Sequence, residues 1–411
     1  MKITAVIAEY NPFHNGHLKQ LKKAKRETDA DVLVVVMSGS FTQHGDLCVL
    51  DKYTRANWAL QAGADLVLEL PTVYSLSTAK GFAEGALKTL SMLGEFTLSF
   101  GTETDELEDL NMAAEFMASE SKDVSNLLKG YLSEGYSVAK SRTLALDKIR
   151  PDISNMLQSP NNILAVEYMK AGAAYGGKVQ YHSVERKPDD GKKYLSSTKI
   201  RDLMRKNADV SAFVPPFVDL TCVTSVEKYN TISTYAMKAM TADELREIAN
   251  ISEGMENRIS QASFTNMDEY LSLTSKRYTR STIKRIAACA TIGLKKELIA
   301  LAKNEKPYCT VLACKPSKKK ALFAILASSD GYFYFKPSDC EKSSPVRPLI
   351  DLDKKEIVAY CIANGLPFAQ YARQGLLEDL YPWIDADETL SRADFTQNLL
   401  HALETDDALY R

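Results

Sequence analysis

The sequence predicts an α/β fold: a parallel sheet covered by helices on both faces in the N-terminal half, then a mainly α-helical C-terminal half. Three observations carry this expectation. Four short runs, residues 3–8, 31–37, 65–70 and 96–100, are rich in apolar and β-branched side chains, as strands buried in a covered sheet are. Helical patterns separate them, which is βαβ winding. Beyond Pro215-Pro216, residues 242–250, 256–262, 267–273 and 279–301 read as helices. A boundary at that proline pair gives a first domain of residues 1–216 and a second of residues 217–411.

The first run stops at Glu9-Tyr10-Asn11-Pro12, where Pro12 disfavours helix at Asn11. His14-Asn15-Gly16-His17 then opens a helix that reaches Arg26. Gly16 lets the backbone pass close to a ligand. A helix N-terminus offers unpaired N–H groups and the positive end of a dipole, so it attracts phosphate. Two imidazoles beside it add directional donors without a fixed charge. Donors fixed in advance at the oxygens of a reacting phosphorus lower the barrier to transfer.

The second run ends at Ser38-Gly39-Ser40, at the carboxyl edge where such sheets bind ligands. Asp51 is placed to cap a helix running to Ala62. Lys52 and Arg55, one turn apart near its start, read either as phosphate contacts or as solvated surface charge. The third run ends at Pro71. Residues 79–93 form a helix, and the fourth run ends at Gly101, either a close approach to a nucleotide or a plain turn. Residues 105–157 are helical in pattern. Ser159-Pro160 reads as an N-cap followed by proline at the first helical position, which puts Asn161 and Asn162 in the first turn. Carboxamides there cap the helix or read a base and ribose.

Residues 178–186 read as a further strand, with Arg186 at its end against phosphate or solvent. In Ser196-Ser197-Thr198-Lys199-Ile200-Arg201 the hydroxyls of Ser197 and Thr198 converge with Arg201 and first-turn N–H groups. This is a second phosphate cradle or an ordinary capped helix. Residues 308–313 and 322–326 read as short strands, and 349–411 as a mixed, acidic tail.

Composition narrows the function. The chain has 411 residues and a net charge of −2, so any nucleic-acid contact must come from a local patch. Seven cysteines, scattered and without C-x-x-C, argue against a disulfide framework or a zinc site. No apolar run approaches the ~18 residues of a membrane span. The first run is needed as a strand, so no signal peptide is read and a cytoplasmic location is expected. One segment, Lys276-Arg277-Tyr278-Thr279-Arg280-Ser281-Thr282-Ile283-Lys284-Arg285, has five cations in ten residues and no acid. On a helix Arg277, Arg280 and Lys284 would share a face, with Tyr278 as a stacking surface. It reads as an RNA-backbone contact or as a solvated helix face.

His14-x-Gly16-His17 resembles the H-x-G-H signature of the nucleotidyltransferases, which have a Rossmann-like parallel sheet. A wider set of pieces resembles the bacterial tRNA(Met) cytidine acetate ligases along most of the chain. These are E-Y-N-P-F-H-N-G-H-L at 9–18, V-M-S-G at 36–39, D-L-V-L-E-L-P at 65–71, P-N-N-I-L at 160–164, S-S-T-K-I-R at 196–201 and K-R-Y-T at 276–279. The chain departs from that pattern at Gln43-His44-Gly45, where the family has Gln-Arg-Gly, and at residues 187–190.

The resemblance implies a reaction. ATP and acetate give acetyl-adenylate and pyrophosphate, and the acetyl group passes to N4 of the wobble cytidine of elongator tRNA(Met), releasing AMP. It implies ATP with Mg²⁺, acetate and that tRNA as partners, and neither membrane nor DNA. Matched residue by residue, its ATP contacts fall on Ile7, Ala8, Glu9, Tyr10, Asn11, Pro12, Phe13, His14, Asn15, Gly16, His17, Leu18, Lys19, Gln20, Gly101, Asn161 and Arg186. To these the residues themselves add Asn162, Ser197 and Thr198. His14 and His17 are assigned to the phosphates during adenylation, with Lys52, Arg55 and Arg201 as further candidates. Lys276, Arg277, Tyr278, Arg280, Lys284 and Arg285 are assigned to tRNA. No metal ligand in the chain is named. The residues alone leave open a small-molecule adenylyltransferase or acid–amine ligase without RNA.

Overall fold

The fold is that of a computed structural model, which describes residues 1–365 apart from 104–105, 120, 187–190, 222, 225 and 253. The part of the acidic tail from 366 to 411, and the departure at 187–190, lie outside the described residues. The expected strands form: β1 (Ile3–Ala8), β2 (Val32–Ser38), β3 (Leu66–Leu70), β4 (Phe96–Thr102) and β5 (Val179–Glu185). Two more, β6 (Tyr308–Cys314) and β7 (Tyr332–Tyr334), come from the later half of the chain. They join one seven-stranded sheet of order β5-β4-β1-β2-β3-β6-β7. The first five strands pair in parallel, while β6 runs antiparallel to β3, with Leu66 opposite Cys314. The division at residue 216 is therefore not a division of the sheet.

Helices follow in chain order. Those between the first strands are α1 (Asn15–Glu27), α2 (Lys52–Gln61), α3 (Thr72–Ser75) and α4 (Ala79–Leu90). Between β4 and β5 come α5 (Leu107–Ala118), α6 (Lys122–Ser133), α7 (Val138–Ile149), α8 (Pro151–Met156) and α9 (Pro160–Gly172). The later part holds α10 (Ser197–Arg205), α11 (Val226–Ala239), α12 (Ala242–Glu247), α13 (Met255–Gln261) and α14 (Met267–Leu271). It continues with α15 (Arg280–Ile292), α16 (Lys296–Asn304), α17 (Lys319–Ala327) and α18 (Arg347–Asn364). The run 322–326, expected as a strand, lies within α17. A short apolar run carries no periodicity that separates strand from helix, and here Leu322 and Leu326, one turn apart, are the buried side chains.

Every residue of β2 is buried, as its unbroken apolar pattern requires in a sheet covered on both sides. The chain runs β1, β2, β3 outward on one side, then returns to place β4 on the other side of β1. The crevice at the carboxyl ends of β1 and β4 is thus the switch point at which open α/β sheets bind ligands.

One buried cluster ties the later helices to the sheet. The Lys52 ammonium meets Glu69 of β3 at 2.5 Å and lies 4.0 Å from Glu356 of α18. Glu356 also accepts the Ser40 N–H and, at 2.6 Å, the Thr72 hydroxyl. Asp353 accepts the Thr72 N–H at 2.9 Å. Lys52, Glu69 and Glu356 are all 1% exposed or less, and Asp353 is buried with them.

The carboxyls of Glu69, Asp353 and Glu356 are buried together, so protons are retained. Burial, with the charges of Glu69 and Glu356 added, holds the Asp353 carboxyl well above the carboxylate range. Burial pushes Glu69 up to about 7 against the pull of Lys52. The native state keeps these protons where the unfolded chain has released them. For Glu69 the resulting stability is complete below about 4.5 and is lost as pH rises through about 7. Asp353→Asn keeps an acceptor for the Thr72 N–H and removes one such titration. Relative to the unaltered chain, this variant is expected to gain stability between pH 5 and pH 8, measured by urea unfolding. Parallel stability–pH curves would show that Asp353 holds no extra proton.

Candidate active site

The turn after β1 is fixed from several sides before any ligand arrives. The Arg55 guanidinium donates to the carbonyl of Glu9 at 2.7 Å, Arg201 to that of Asn11 at 2.6 Å, and the Ser197 hydroxyl to that of Pro12 at 3.3 Å. The Asn11 carboxamide oxygen accepts the Val49 N–H at 2.8 Å. Tyr10 and Phe13 are buried, and their rings lie 4.9 and 5.5 Å from the His17 ring. His14 is the N-cap of α1.

The two imidazoles stack, with ring centroids 3.7 Å apart and planes 21° from parallel. His14 Nδ1 accepts the Gly16 N–H at 3.0 Å, and the His14 backbone N–H donates to His17 Nδ1 at 3.2 Å. Both δ nitrogens are therefore acceptors, which places the proton of each neutral ring on Nε2. Burial, then the nearby His14 and Arg186, hold the His17 pKa well below that of a free imidazole, so His17 is a neutral donor. The glycine has a steric cause: a Cβ at Gly16 would lie 2.8 Å from His14 Cε1. No other residue lets the His14 ring fold back over the first turn.

These rings border a cleft of about 340 Å³, a size in the ~300–1,000 Å³ range of small-molecule sites. Its walls include most of the expected nucleotide contacts: Ile7 to Asn11, His14, Gly16, His17, Lys19, Gln20, Gly101, Asn161, Arg186, Ser197, Thr198 and Arg201. Pro12, Phe13, Asn15 and Leu18 support the turn rather than line the cleft. Phe13 is buried, and Asn15 holds the carbonyls of Lys193 and Ala212 at 3.0 Å each. Behind two of these lining residues, Glu103 accepts from the Asn161 carboxamide at 2.5 Å and lies 3.7 Å from Arg186; it also accepts from the Ser159 hydroxyl. Ser159 is the N-cap residue of α9, as expected, but its hydroxyl reaches Glu103 just past β4 and makes no cap bond.

Three expected contacts are used inside the fold instead. Asn162 is buried: its oxygen accepts from Thr102 at 2.9 Å and its NH₂ donates to the Met156 carbonyl. It joins α9 to the end of β4. Lys52 sits in the carboxylate cluster beneath the loop. Arg55 is fully buried and donates to the carbonyls of Leu50, Glu9, Ser38 and Gly39. Neither lines the cleft, because the face of α2 that carries both is buried against the sheet.

The basic segment is also mostly engaged. Only its second half is helical, so Arg277 does not share a helix face with Arg280; its guanidinium donates to the Leu132 carbonyl at 3.1 Å. Tyr278 is buried and its hydroxyl donates to the Ser252 carbonyl, so it presents no stacking surface. Lys284 pairs with Asp46 at 2.5 Å, and buried Arg285 donates to the Gln43 carbonyl at 3.3 Å. Lys276 and Arg280 remain exposed. The helix thereby docks on the loop that closes the cleft. Gly45, with φ +85°, is where the backbones meet; a Cβ there would lie 2.5 Å from the Arg285 nitrogen.

Reading by residue type missed the contribution of this loop. Thr42, Gln43, His44 and Asp46 all line the cleft, and the Gln43 N–H holds the Glu9 carboxylate at 2.6 Å. The departure at Gln43-His44-Gly45 was the one signal pointing there. Tyr168 and Tyr194 line the cleft without any local motif. Among the described residues no group of three or more His, Cys, Asp or Glu is placed to hold a metal ion.

Known proteins resemble the chain in sequence and in fold. A family model described as HIGH Nucleotidyl Transferase matches residues 1–371. A tRNA(Met) cytidine acetate ligase of Thermoanaerobacter sp. (strain X514) is 36% identical over 321 residues, 72% of this chain and 80% of the relative. One of Clostridium botulinum (strain Hall) is 34% identical over 402 residues, 89% of this chain and 95% of the relative. The crystal structure of Thermotoga maritima TmcAL bound with alpha-thio ATP is 26% identical, with a TM-score of 0.80 over 96% of this chain and 98% of that one. The chain belongs to the HIGH nucleotidyl transferases and, within them, to the tRNA(Met) cytidine acetate ligase family.

Proposed function

We propose that the protein is a tRNA(Met) cytidine acetate ligase that adenylates acetate with ATP and acetylates N4 of the wobble cytidine of elongator tRNA(Met) in the cytoplasm. The observation that carries this reading is the pair of stacked imidazoles, with Nε2–H donors at the head of α1, in a cleft at the switch point of the sheet. A free carboxylate does not acylate an amine at a useful rate, because oxide is a poor leaving group. An acetate oxygen therefore attacks the α-phosphorus, the bond from that phosphorus to the bridging oxygen breaks, and pyrophosphate leaves. N4 then attacks the acetyl carbon, the bond to the adenylate oxygen breaks, and AMP departs.

With Nδ1 occupied in both rings, His14 and His17 act as donors to phosphate oxygens and not as bases. Arg186 and Arg201 add positive charge to the walls of the cleft, and the Asn161 carboxamide is held by Glu103. Mg²⁺ enters in this reading with the substrate, as Mg·ATP, held through phosphate oxygens and water rather than by a protein cage. The tRNA backbone meets the exposed end of the basic segment, Lys276 and Arg280.

Two measurements test the assignments. His14→Ala and His17→Ala are each expected to slow acetate-dependent pyrophosphate release by a factor on the order of 10²–10³, the usual loss for one preorganised donor. Near-normal rates in both would remove the imidazoles from the chemistry. Replacing Lys276 and Arg280 together by Glu is expected to weaken tRNA binding and to reduce the slope of log affinity against log salt by about 2. Pyrophosphate release without RNA stays near normal in that variant. An unchanged slope would show that the segment does not touch the RNA backbone.

A further inference from the structure

Next to the nucleotide cleft lies a second cavity of about 160 Å³ that the adenylation step does not use. Its walls are mostly apolar, with Leu47 and Val49 from the loop, Met204 from α10, Tyr229 from α11, Met267 from α14 and Ala287 from α15. Asn230 also lines it. Two residues, Asp46 and Arg201, belong to the walls of both cavities. Each is fixed at that junction: Asp46 by Lys284 at 2.5 Å, and Arg201 by its bond to the Asn11 carbonyl at 2.6 Å. Arg205 and Lys284 also line it, Arg205 paired with Asp202 at 2.7 Å and Lys284 with Asp46.

The cavity is too large for acetate. At about 10–15 Å³ per water-sized group, it holds far more than a two-carbon acid. A flat ring with polar atoms on one edge fits it better, its faces on apolar side chains and its edge toward a carboxamide. Arg201, Arg205 and Lys284 outnumber Asp46 and Asp202 around it, an excess of positive charge that suits a phosphate backbone.

We propose that this cavity is the acceptor pocket, which receives the cytosine base of the RNA substrate turned out of its stack. The proposal rests on the ligase reading of the first cleft. Asn230 meets the polar edge of the base, and N4 is directed past Asp46 and Arg201 toward the acyl carbon. There the new C–N bond forms as the bond to the adenylate oxygen breaks, AMP leaves with the electron pair, and the N4 proton passes to the Asp46 carboxylate. Asp46 is thus a catalytic residue for the second step alone. Asn230 is a specificity residue.

The test separates the two half-reactions in the full-length protein. Val226, 45% exposed at the rim, tolerates a larger side chain without disturbing the core. Val226→Trp fills the cavity, and Asn230→Ala empties its polar wall. Both are assayed for acetate-dependent pyrophosphate release without RNA and for transfer of labelled acetyl to tRNA. Pyrophosphate release is expected to stay within about twofold, while acetyl transfer falls by about tenfold in Asn230→Ala and on the order of 10²-fold in Val226→Trp. Normal transfer in both variants overturns the proposal and leaves the ligase reading intact. A parallel loss of both half-reactions in folded protein also overturns it, because the cavity then serves the nucleotide or the acid. If Val226→Trp does not fold, Asn230→Ala decides alone. If the unaltered protein releases no pyrophosphate with acetate, the ligase reading itself fails, and the acceptor pocket with it.

Discussion

The arrangement depends on one buried guanidinium. Arg55 donates to four backbone carbonyls, from the ends of β1 and β2 and from the loop before α2. A strand end leaves carbonyls that no ladder partner takes, and in a buried crevice such groups are costly unless paired. One planar group with five donors satisfies all four and holds two strand ends and a loop in register. The imidazoles therefore stand on a turn whose position is set by a residue that does not line the cleft.

Much of this was legible in the sequence, for identifiable reasons. The first four strands are short apolar, β-branched runs that end in turn residues, and their length and those turns locate them. His14, Gly16 and His17 act through near neighbours in the chain, so their spacing reveals their arrangement. Lys52, Arg55 and Asn162 were not legible as structural residues. Their partners Glu356, Ser38 and Thr102 lie from tens to hundreds of positions away, and a sequence does not say which side of a helix faces a sheet. The antiparallel pairing of β6 with β3 is likewise a long-range choice. Tyr278 misled because an aromatic among cations looks like a stacking surface, whereas its hydroxyl found a carbonyl in the core.

Charge is distributed with the same economy. With a net charge of −2 the chain has no cations to spare for general attraction to RNA. Lys284 and Arg285 fasten α15 to the loop of the nucleotide cleft, so part of a segment that looks like an RNA contact acts as a structural joint. What remains outward is a small basic surface next to that joint.

The pairing of β6 with β3 also bears on how such a protein can be inherited or divided. Residues 1–216 contain every imidazole of the cleft and resemble a transferable module. Cut there, the chain would leave β3 as a bare edge and would strand Lys52 and Glu69 without Glu356. Recombination at that point would pass on a catalytic motif without the strand that finishes its sheet. In this chain the later half is then not an accessory added to a finished sheet, because it supplies both β6 and Glu356.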